Sequence, residues 1–401
     1  MKYIVVLIDG MADESIASLD NKTPLEFANI NNIDELAKVS ELGMVHTIPK
    51  GMAPGSDVAN LSIMGYAPDK YHTGRSPLEA ANIGIPMKPD DIIFRCNLVT
   101  VSEDMPYENK VMIDHSASDI TSEEASQLMD ALREALNDET KKFFDGTSYR
   151  NIVVWENGTL DLKLQPPHDF LEQTLEKHVP IGAEWIWAFE KKSFEILNHH
   201  PINEDRRKRG LNPANMIWIW GEGKKPKLDL FEDLYGLKGV TISAVDLIKG
   251  IGRCAGMEAI YVEGATGTIH TNFKGKADAC LKALEEGNDY VYLHLEATDE
   301  CSHQGNLKEK IEAIEIIDKV VVKYIKQALD QKNEPYRIMI LPDHPTPVRT
   351  RTHTSNPVPY LIFDSEHLKE SGKNGYHEKS CESTGITFKT GPELTAYFVQ
   401  K

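Results

Sequence analysis

The stretch RIMILPDHPTPVRTRTH, residues 337–353, decides the fold. Ile338 to Leu341 is an unbroken apolar run, and Pro342 ends it. A run this short between turn signals reads as a strand buried on both faces. Asp343 and His344 follow at once, and His353 comes nine positions after His344. Taken alone, Asp-His before a proline is a turn. In a sheet covered by helices on both faces, however, ligands bind beyond the carboxyl ends of the strands. An acid and two imidazoles at such an end raise the question of a site.

Four more runs share this texture: Tyr3–Ile8, Val240–Val245, Tyr290–Leu295 and Val358–Phe363. Helical stretches lie between the later ones, over 275–287 and over 306–330. In the second, Ile311, Ile314, Val321 and Ile325 keep near-helical spacing. This alternation predicts a mainly parallel sheet with helices on both faces. The middle of the chain differs. Residues 92–101, 151–155 and 216–221 read as strands, and a helical stretch lies near 184–199. Residues 121–136 read as an amphipathic helix opened by a capping box, Thr121 with Glu124. The polar NHHPINEDRRKRGLNPAN, 198–215, reads as a surface loop, and its Arg206, Arg207, Lys208 and Arg209 as a solvated face. The expectation is an α/β core formed by 1–65 and 236–401, with an inserted α+β domain over 66–235. The hinges fall in the turn-rich 65–77 and near 234–239.

The chain has 401 residues, 41% of them hydrophobic and 26% charged, enough to bury a sizeable core. Its net charge of −18 argues against a general binder of nucleic acid or of an anionic membrane. The five cysteines are scattered and lack CxxC spacing, as in the reduced thiols of a cytoplasm. The first apolar run is too short for a signal peptide, and no segment of about 18 apolar residues would span a membrane. A cytoplasmic protein is expected.

Four segments place chemistry where strands end. Asp9 closes VVLIDG. Ser56 follows Pro-Gly in MAPGSDVANLSIMG and precedes a short helix. Asp299 and His303 sit four apart in LHLEATDECSHQGN. The opening stretch adds Asp343, His344 and His353. Each has a plain reading by itself: Asp9 a turn residue, Ser56 a helix N-cap, Asp299 and His303 a surface pair. Together they suit a divalent transition metal, and seven donors exceed what one catalytic ion uses. Two ions clamping a phosphoryl group, with Ser56 as an activated nucleophile, is the chemistry they fit. Arg75, Arg95 and Arg150 are forks for phosphate or carboxylate, or else salt-bridge partners; Arg95 lies inside an apolar strand. Lys249 follows a strand among glycines, and His168–Asp169 stand in PPHD; these read equally as a solvated lysine and a helix start.

The segments VLIDGMAD, PGSDVANLSIMGY, YHTGRSPLEAANIG, FRCNLVTV, NPANMIWIWGEG, SAVDLIKGIG, HLEATDECSHQG and LPDHPTPVRTRTH resemble the cofactor-independent phosphoglycerate mutases of the archaeal type. The resemblance runs over almost the whole chain. It implies an alkaline-phosphatase-like fold and two Mn²⁺ or Zn²⁺ ions. Asp299, His303 and His353 would hold one ion, and Asp9, Ser56, Asp343 and His344 the other. It implies that Ser56 takes a phosphoryl group from 3-phosphoglycerate and returns it to the 2-position, while the inserted domain closes to exclude water. Arg75, Arg95, Arg150, His168, Asp169 and Lys249 would contact a small phosphorylated substrate. One stretch departs from the pattern. After Asp114, where such mutases tend to carry arginines, the chain reads His115, Ser116, Ala117, Ser118, Asp119. That resembles a branch proposed to phosphorylate homoserine, whose amine an acidic stretch would suit. The chain shows no GxxxxGKS/T loop for ATP.

Overall fold

A computed structural model describes residues 1–104, 106–332 and 334–400. The chain divides into two compact units, Met1–His72 with Lys227–Lys401, and Thr73–Pro226. In chain order the strands are β1 (Lys2–Ile8), β2 (Glu41–Val45), β3 (Ile92–Val101), β4 (Met112–Asp114), β5 (Lys141–Thr147), β6 (Arg150–Trp155) and β7 (Met216–Lys224). They continue with β8 (Gly239–Ile242), β9 (Glu258–Ile260), β10 (Tyr290–Leu295), β11 (Tyr336–Leu341), β12 (Val358–Asp364) and β13 (Thr387–Phe388).

The first unit holds an eight-stranded sheet in the order β13-β2-β12-β11-β1-β10-β8-β9. From β11 to β9 every neighbouring pair is parallel. β12 runs antiparallel to both β11 and β2, so the apolar run Val358–Phe363 is a strand of reversed direction. The central strands are buried on both faces, as continuous apolar runs require. The helix Phe273–Glu285 packs Ala277, Leu281 and Leu284 into the same core as Val291 and Leu293.

Two details differ from the sequence reading. The segment expected as one helix over 306–330 is α-helical over Leu307–Ile316 and Lys323–Asp330, with a π-helical turn Ile317–Val322 between them. The turn carries buried Asp318, whose carboxylate accepts the Ile33 N–H at 2.8 Å and the Asn32 side-chain amide at 2.6 Å. It thereby caps the helix Asn31–Lys38, whose own N-cap, Ile30, has no polar side chain. The strand expected over Val240–Val245 stops at Ile242. Ser243 Oγ accepts the Val245 N–H at 2.9 Å and turns the chain into the helix Asp246–Cys254.

The second unit is an antiparallel five-stranded sheet, β4-β3-β6-β5, with β7 pairing β3. Helices Ser122–Leu136 and Glu184–Leu197 supply Leu128, Leu132, Ile186 and Leu197 to its core. All five tryptophans, Trp155, Trp185, Trp187, Trp218 and Trp220, belong to this unit. Residues 198–215 are not simply a loop: Pro201–Lys208 is a helix, and Arg206 is 1% exposed. Arg206 pairs with Glu124 and donates to the Ala117 carbonyl and, at 3.0 Å, to the Asn212 carbonyl. Thr121 Oγ1 accepts the Glu124 N–H at 3.3 Å, while the Glu124 carboxylate pairs with Arg206 and Arg209. Arg206 is therefore drawn in by an acid from a distant helix, which composition alone does not reveal, while Lys208 and Arg209 stay exposed.

The first crossing between units falls after His72, where the sequence reading put it at 65–66. Tyr66 Oη donates to the Asp229 carbonyl at 2.9 Å and Tyr71 Oη to its carboxylate at 2.6 Å, tying 66–71 to the first unit. The same bonds bring the return crossing forward from 235–236 to 226–227.

Candidate functional site

The first unit gathers all seven donors named from the sequence into one connected cluster. Asp9 follows β1, and Asp343 and His344 lie two and three residues past the end of β11. Asp299 and His303 are one turn apart on the helix Ala297–His303, which begins just after β10. Strands β1, β10 and β11 are neighbours in parallel register, so their carboxyl ends deliver these side chains to one edge. Gly10 makes the approach possible. Its φ is +61°, and a Cβ there would come 2.4 Å from an Asp299 carboxylate oxygen.

Ser56 is the first residue of the helix Ser56–Ile63, and Gly55 occupies the N-cap position. The hydroxyl is therefore not a cap: Oγ lies 3.1 Å from His344 Nε2. His344 Nε2 also stands 3.2 Å from Asp343 Oδ2 and 3.7 Å from Asp9 Oδ1. Asp299 Oδ2 is 3.0 Å from His303 Nε2, and its Oδ1 is 3.5 Å from His353 Nε2. The rings of His344 and His353 stack at 3.9 Å and join the two halves.

Hydrogen bonds fix the tautomer of His344. Thr346 Oγ1 donates to Asp299 Oδ1 at 2.6 Å, so the same oxygen accepts from His344 Nδ1 at 3.1 Å. The Nε2 lone pair is left facing Ser56. Asp343 is held by the Gly10 N–H at 3.1 Å and by the Asn60 side-chain amide at 2.9 Å.

The electrostatics of the two halves differ. Burial, with Asp343 and Asp299 close by, pushes the Asp9 carboxyl well above the usual carboxylate range. Burial resists ionisation of Asp299 too, yet His303 and His353 hold it well below that range. In return Asp299 pushes His303 up to about 9. Burial lowers His344, keeping its ring neutral. Asp9 Oδ1 is buried with no hydrogen-bond partner among the described residues. Two groups of donor atoms lie within 4.8 Å of one another: Asp299, His344 and His353; and Asp9, His294 and Asp343. An orphaned carboxylate oxygen and an imidazole lone pair, among three crowded acids, fit divalent cations.

His294 was missed from the sequence. It is fully buried on β10 with Nε2 3.0 Å from Asp9 Oδ2, close enough for an ion pair but off the line of a hydrogen bond. Burial pulls its pKa down, but Asp9 and Glu296 push it up to about 10. The available signal was a histidine inside an apolar strand with Glu296 two residues on, YVYLHLE.

Lys249 lies on the helix Asp246–Cys254, which packs against the helix of Ser56, and its ammonium is 2.9 Å from Asp246. The other named residues lie in the second unit. The Arg95 fork is engaged by Glu79 through Nε, at 2.8 Å, and through Nη2, and its guanidinium sits 5.0 Å from the Trp220 ring. The salt-bridge reading of Arg95 is thus the one realised. Arg75 is exposed at the N-cap of the helix Ser76–Ile83. Arg150 opens β6 and covers Tyr149 at 5.2 Å. His168 touches the His115 and Trp220 rings and is 3.7 Å from Asp169. Burial lowers its pKa, and His115, Arg95 and Arg75 add to the effect. Arg95 and His168 thus meet at the Trp220 ring, with His115 against His168.

The departing stretch 114–119 is a tight turn. Asp114 accepts the Ser116 and Ser118 N–H groups at 2.9 and 2.6 Å and the Asn212 amide at 2.9 Å. Ala117, Ser118 and Asp119 all have positive φ. Asp114 is thus engaged in holding this left-handed turn.

Residues 37–203 match the family model of 2,3-bisphosphoglycerate-independent phosphoglycerate mutase. A protein of that name from Methanothrix thermoacetophila is 46% identical over 98% of both chains. One named as a probable such mutase from Geobacter sulfurreducens is 45% identical over 98% of both. Among solved structures, the cofactor-independent phosphoglycerate mutase of Thermoplasma acidophilum matches at TM-score 0.68 and 25% identity, covering 100% of this chain and 99% of that one. A Pyrococcus horikoshii protein matches at 0.82 and 29%, covering 99% and 97%. Serine, acids and imidazoles at one sheet edge, and relatives alike from end to end, lead to one conclusion: the chain belongs to the 2,3-bisphosphoglycerate-independent phosphoglycerate mutases.

Proposed function

We propose that the chain interconverts 3-phosphoglycerate and 2-phosphoglycerate through a phosphorylated Ser56, without bisphosphoglycerate. The observation that carries this is the placement of the Ser56 hydroxyl: free of any capping duty, at a helix N-terminus, and 3.1 Å from the lone pair of His344. Ser56 gives up its hydroxyl proton as Oγ attacks phosphorus; the Oγ–P bond forms, the bond from phosphorus to O3 breaks, and O3 takes up one proton in exchange. The bound glycerate reorients. O2 then attacks the phosphoserine, the Oγ–P bond breaks, and the proton lost from O2 balances the one returned to Ser56.

We assign Asp299, His303 and His353 to one divalent ion, and Asp9, Ser56, Asp343 and His344 to a second, of the Mn²⁺ or Zn²⁺ type. When bound, such a pair supplies Lewis-acid charge to phosphoryl oxygens. Thr346 and Asn60 keep the donor atoms turned inward, and the neutral His344 keeps its lone pair available. Lys249 is assigned to the phosphoryl group. In the second unit, Arg75, Arg150 and His168 are assigned to the anionic groups of the substrate, with Asp169 orienting His168. Arg95 acts through Glu79 and Trp220 as a support for His168. The buried thiols of Cys96, Cys280, Cys301 and Cys381 suit a reducing cytoplasm.

Replacement Ser56→Ala tests the reading. Turnover of 3-phosphoglycerate, followed by an enolase-coupled assay, should fall by roughly 10⁴–10⁶-fold, the range for a lost nucleophile or its partners. The mass of a covalent phosphoenzyme should disappear with it. A variant that still turns over or still becomes phosphorylated rules out Ser56 as the carrier.

A further inference from the structure

Behind Asp9 runs a buried line of charged groups that the ligand assignment does not use. Lys276, on the helix Phe273–Glu285, pairs with Glu296 Oε2 and donates to the His294 carbonyl at 3.0 Å. Glu296 Oε1 accepts the Ala244 N–H at 2.7 Å and the Ser243 hydroxyl at 3.0 Å, and lies 3.1 Å from His294 Nδ1. Lys276 and His294 are 0% exposed and Glu296 is 2% exposed.

This line has a direction. Nδ1–H of His294 has a carboxylate acceptor, so the ring orientation is set and Nε2 is carried to the far side. There it meets Asp9 Oδ2 at 3.0 Å. The two carboxylate oxygens of Asp9 are thus divided: Oδ2 faces His294, and Oδ1 faces His344 Nε2 at 3.7 Å. Within this line, the buried atoms lacking an aligned hydrogen bond among the described residues are His294 Nε2 and Asp9 Oδ1, both at the Asp9 end. Buried charges kept for stability alone are matched by apolar residues of similar volume. This line instead satisfies every group except where it reaches Asp9.

We propose that His294, oriented by Glu296 and Lys276, is a positioning residue for Asp9. It engages Oδ2 and turns Oδ1 toward the divalent ion assigned to Asp9, Ser56, Asp343 and His344. This rests on the metal assignment above. Groups behind a metal ligand set its orientation and basicity, and their loss costs about 10–100-fold in metal affinity.

The experiment uses full-length protein stripped of metal. Parent, Glu296→Gln, His294→Ala and His294→Gln are titrated with Mn²⁺ by calorimetry, and electron paramagnetic resonance distinguishes single from paired ions. Near-ultraviolet circular dichroism reports the fold before metal is added. The parent should bind two ions. Glu296→Gln, which keeps the shape of the side chain, and His294→Ala should weaken one site by about 10–100-fold and leave the other unchanged. His294→Gln keeps a donor in reach of Asp9 and should retain more affinity than His294→Ala. Folded variants that bind both ions like the parent overturn the proposal, as do variants that lose both sites equally. Should the His294 variants fail to fold, Glu296→Gln decides alone. A parent that binds no pair of ions overturns the metal assignment instead, which separates the two failures.

Discussion

Each unit buries a glutamate, and the two are handled in opposite ways. In the first unit burial resists ionisation of Glu296, yet Lys276 and His294 hold it far below the usual carboxylate range. In the second unit Glu190, also 0% exposed, accepts the Ile219 N–H at 3.0 Å, and its other oxygen has no hydrogen-bond partner among the described residues. Burial pushes that carboxyl well above its usual range. One glutamate is a charge within a network that ends at a reactive cluster. The other is a neutral acid that ties a helix to β7. The contrast shows that burial by itself does not set charge; a partner placed by another element does.

The sharpest way to break the contrast is to remove that partner. Lys276→Met takes from Glu296 its lysine partner and leaves only His294 opposite the buried charge, and should cost the first unit about 3–5 kcal/mol in chemical denaturation. Because every tryptophan lies in the second unit, tryptophan emission should keep its parental midpoint while far-ultraviolet circular dichroism records the loss. Metal comes next. Mn²⁺ at one hundred times its dissociation constant should stabilise the first unit by about 2.7 kcal/mol per site, with EDTA reversing the gain and the emission transition again unmoved. An equal shift in both signals would show that the first unit's charges are not its own affair.

The smallest effect concerns Glu190 and pH. Its folded pKa is raised, so the folded state keeps a proton that the unfolded state loses near its ordinary value of about 4.3. The stability tied to it is complete below that pH and falls as pH rises, by about 1.4 kcal/mol per unit. Glu190→Gln should therefore gain on the parent as pH increases from 5 to 7, read by tryptophan emission. A constant gap between the two would mean that Glu190 is ionised in the fold.

Much of this architecture was legible in the sequence because buried strands are written as local apolar runs. Tyr290–Leu295 is a strand with those very ends, and Ile92–Val101 likewise. The clustering of Asp9, Asp299, Asp343 and His344 followed from strand ends and a parallel sheet. What was illegible depended on distant partners. Arg206 read as solvated because Glu124 lies on another helix, and His294 read as one more residue of an apolar run. The reversal of β12 left no local mark, since a strand buried on both faces looks the same in either direction. The homoserine reading rested on the arginines absent from 115–119, a local signal outweighed by full-length relatives named as phosphoglycerate mutases.

The end of β10 carries one further consequence. His294, Glu296 and Asp299 lie within six residues, the first against Asp9, the second against His294 and the third against His303 and His353. β1 and β10 are in fixed register, with Leu7 opposite His294 and Ile8 opposite Leu295. Inserting or deleting a single residue between Glu296 and Asp299 would rotate the following helix by about 100° and swing Asp299 and His303 away, while His294 stayed behind Asp9. The length of this segment is therefore constrained as tightly as the side chains it carries.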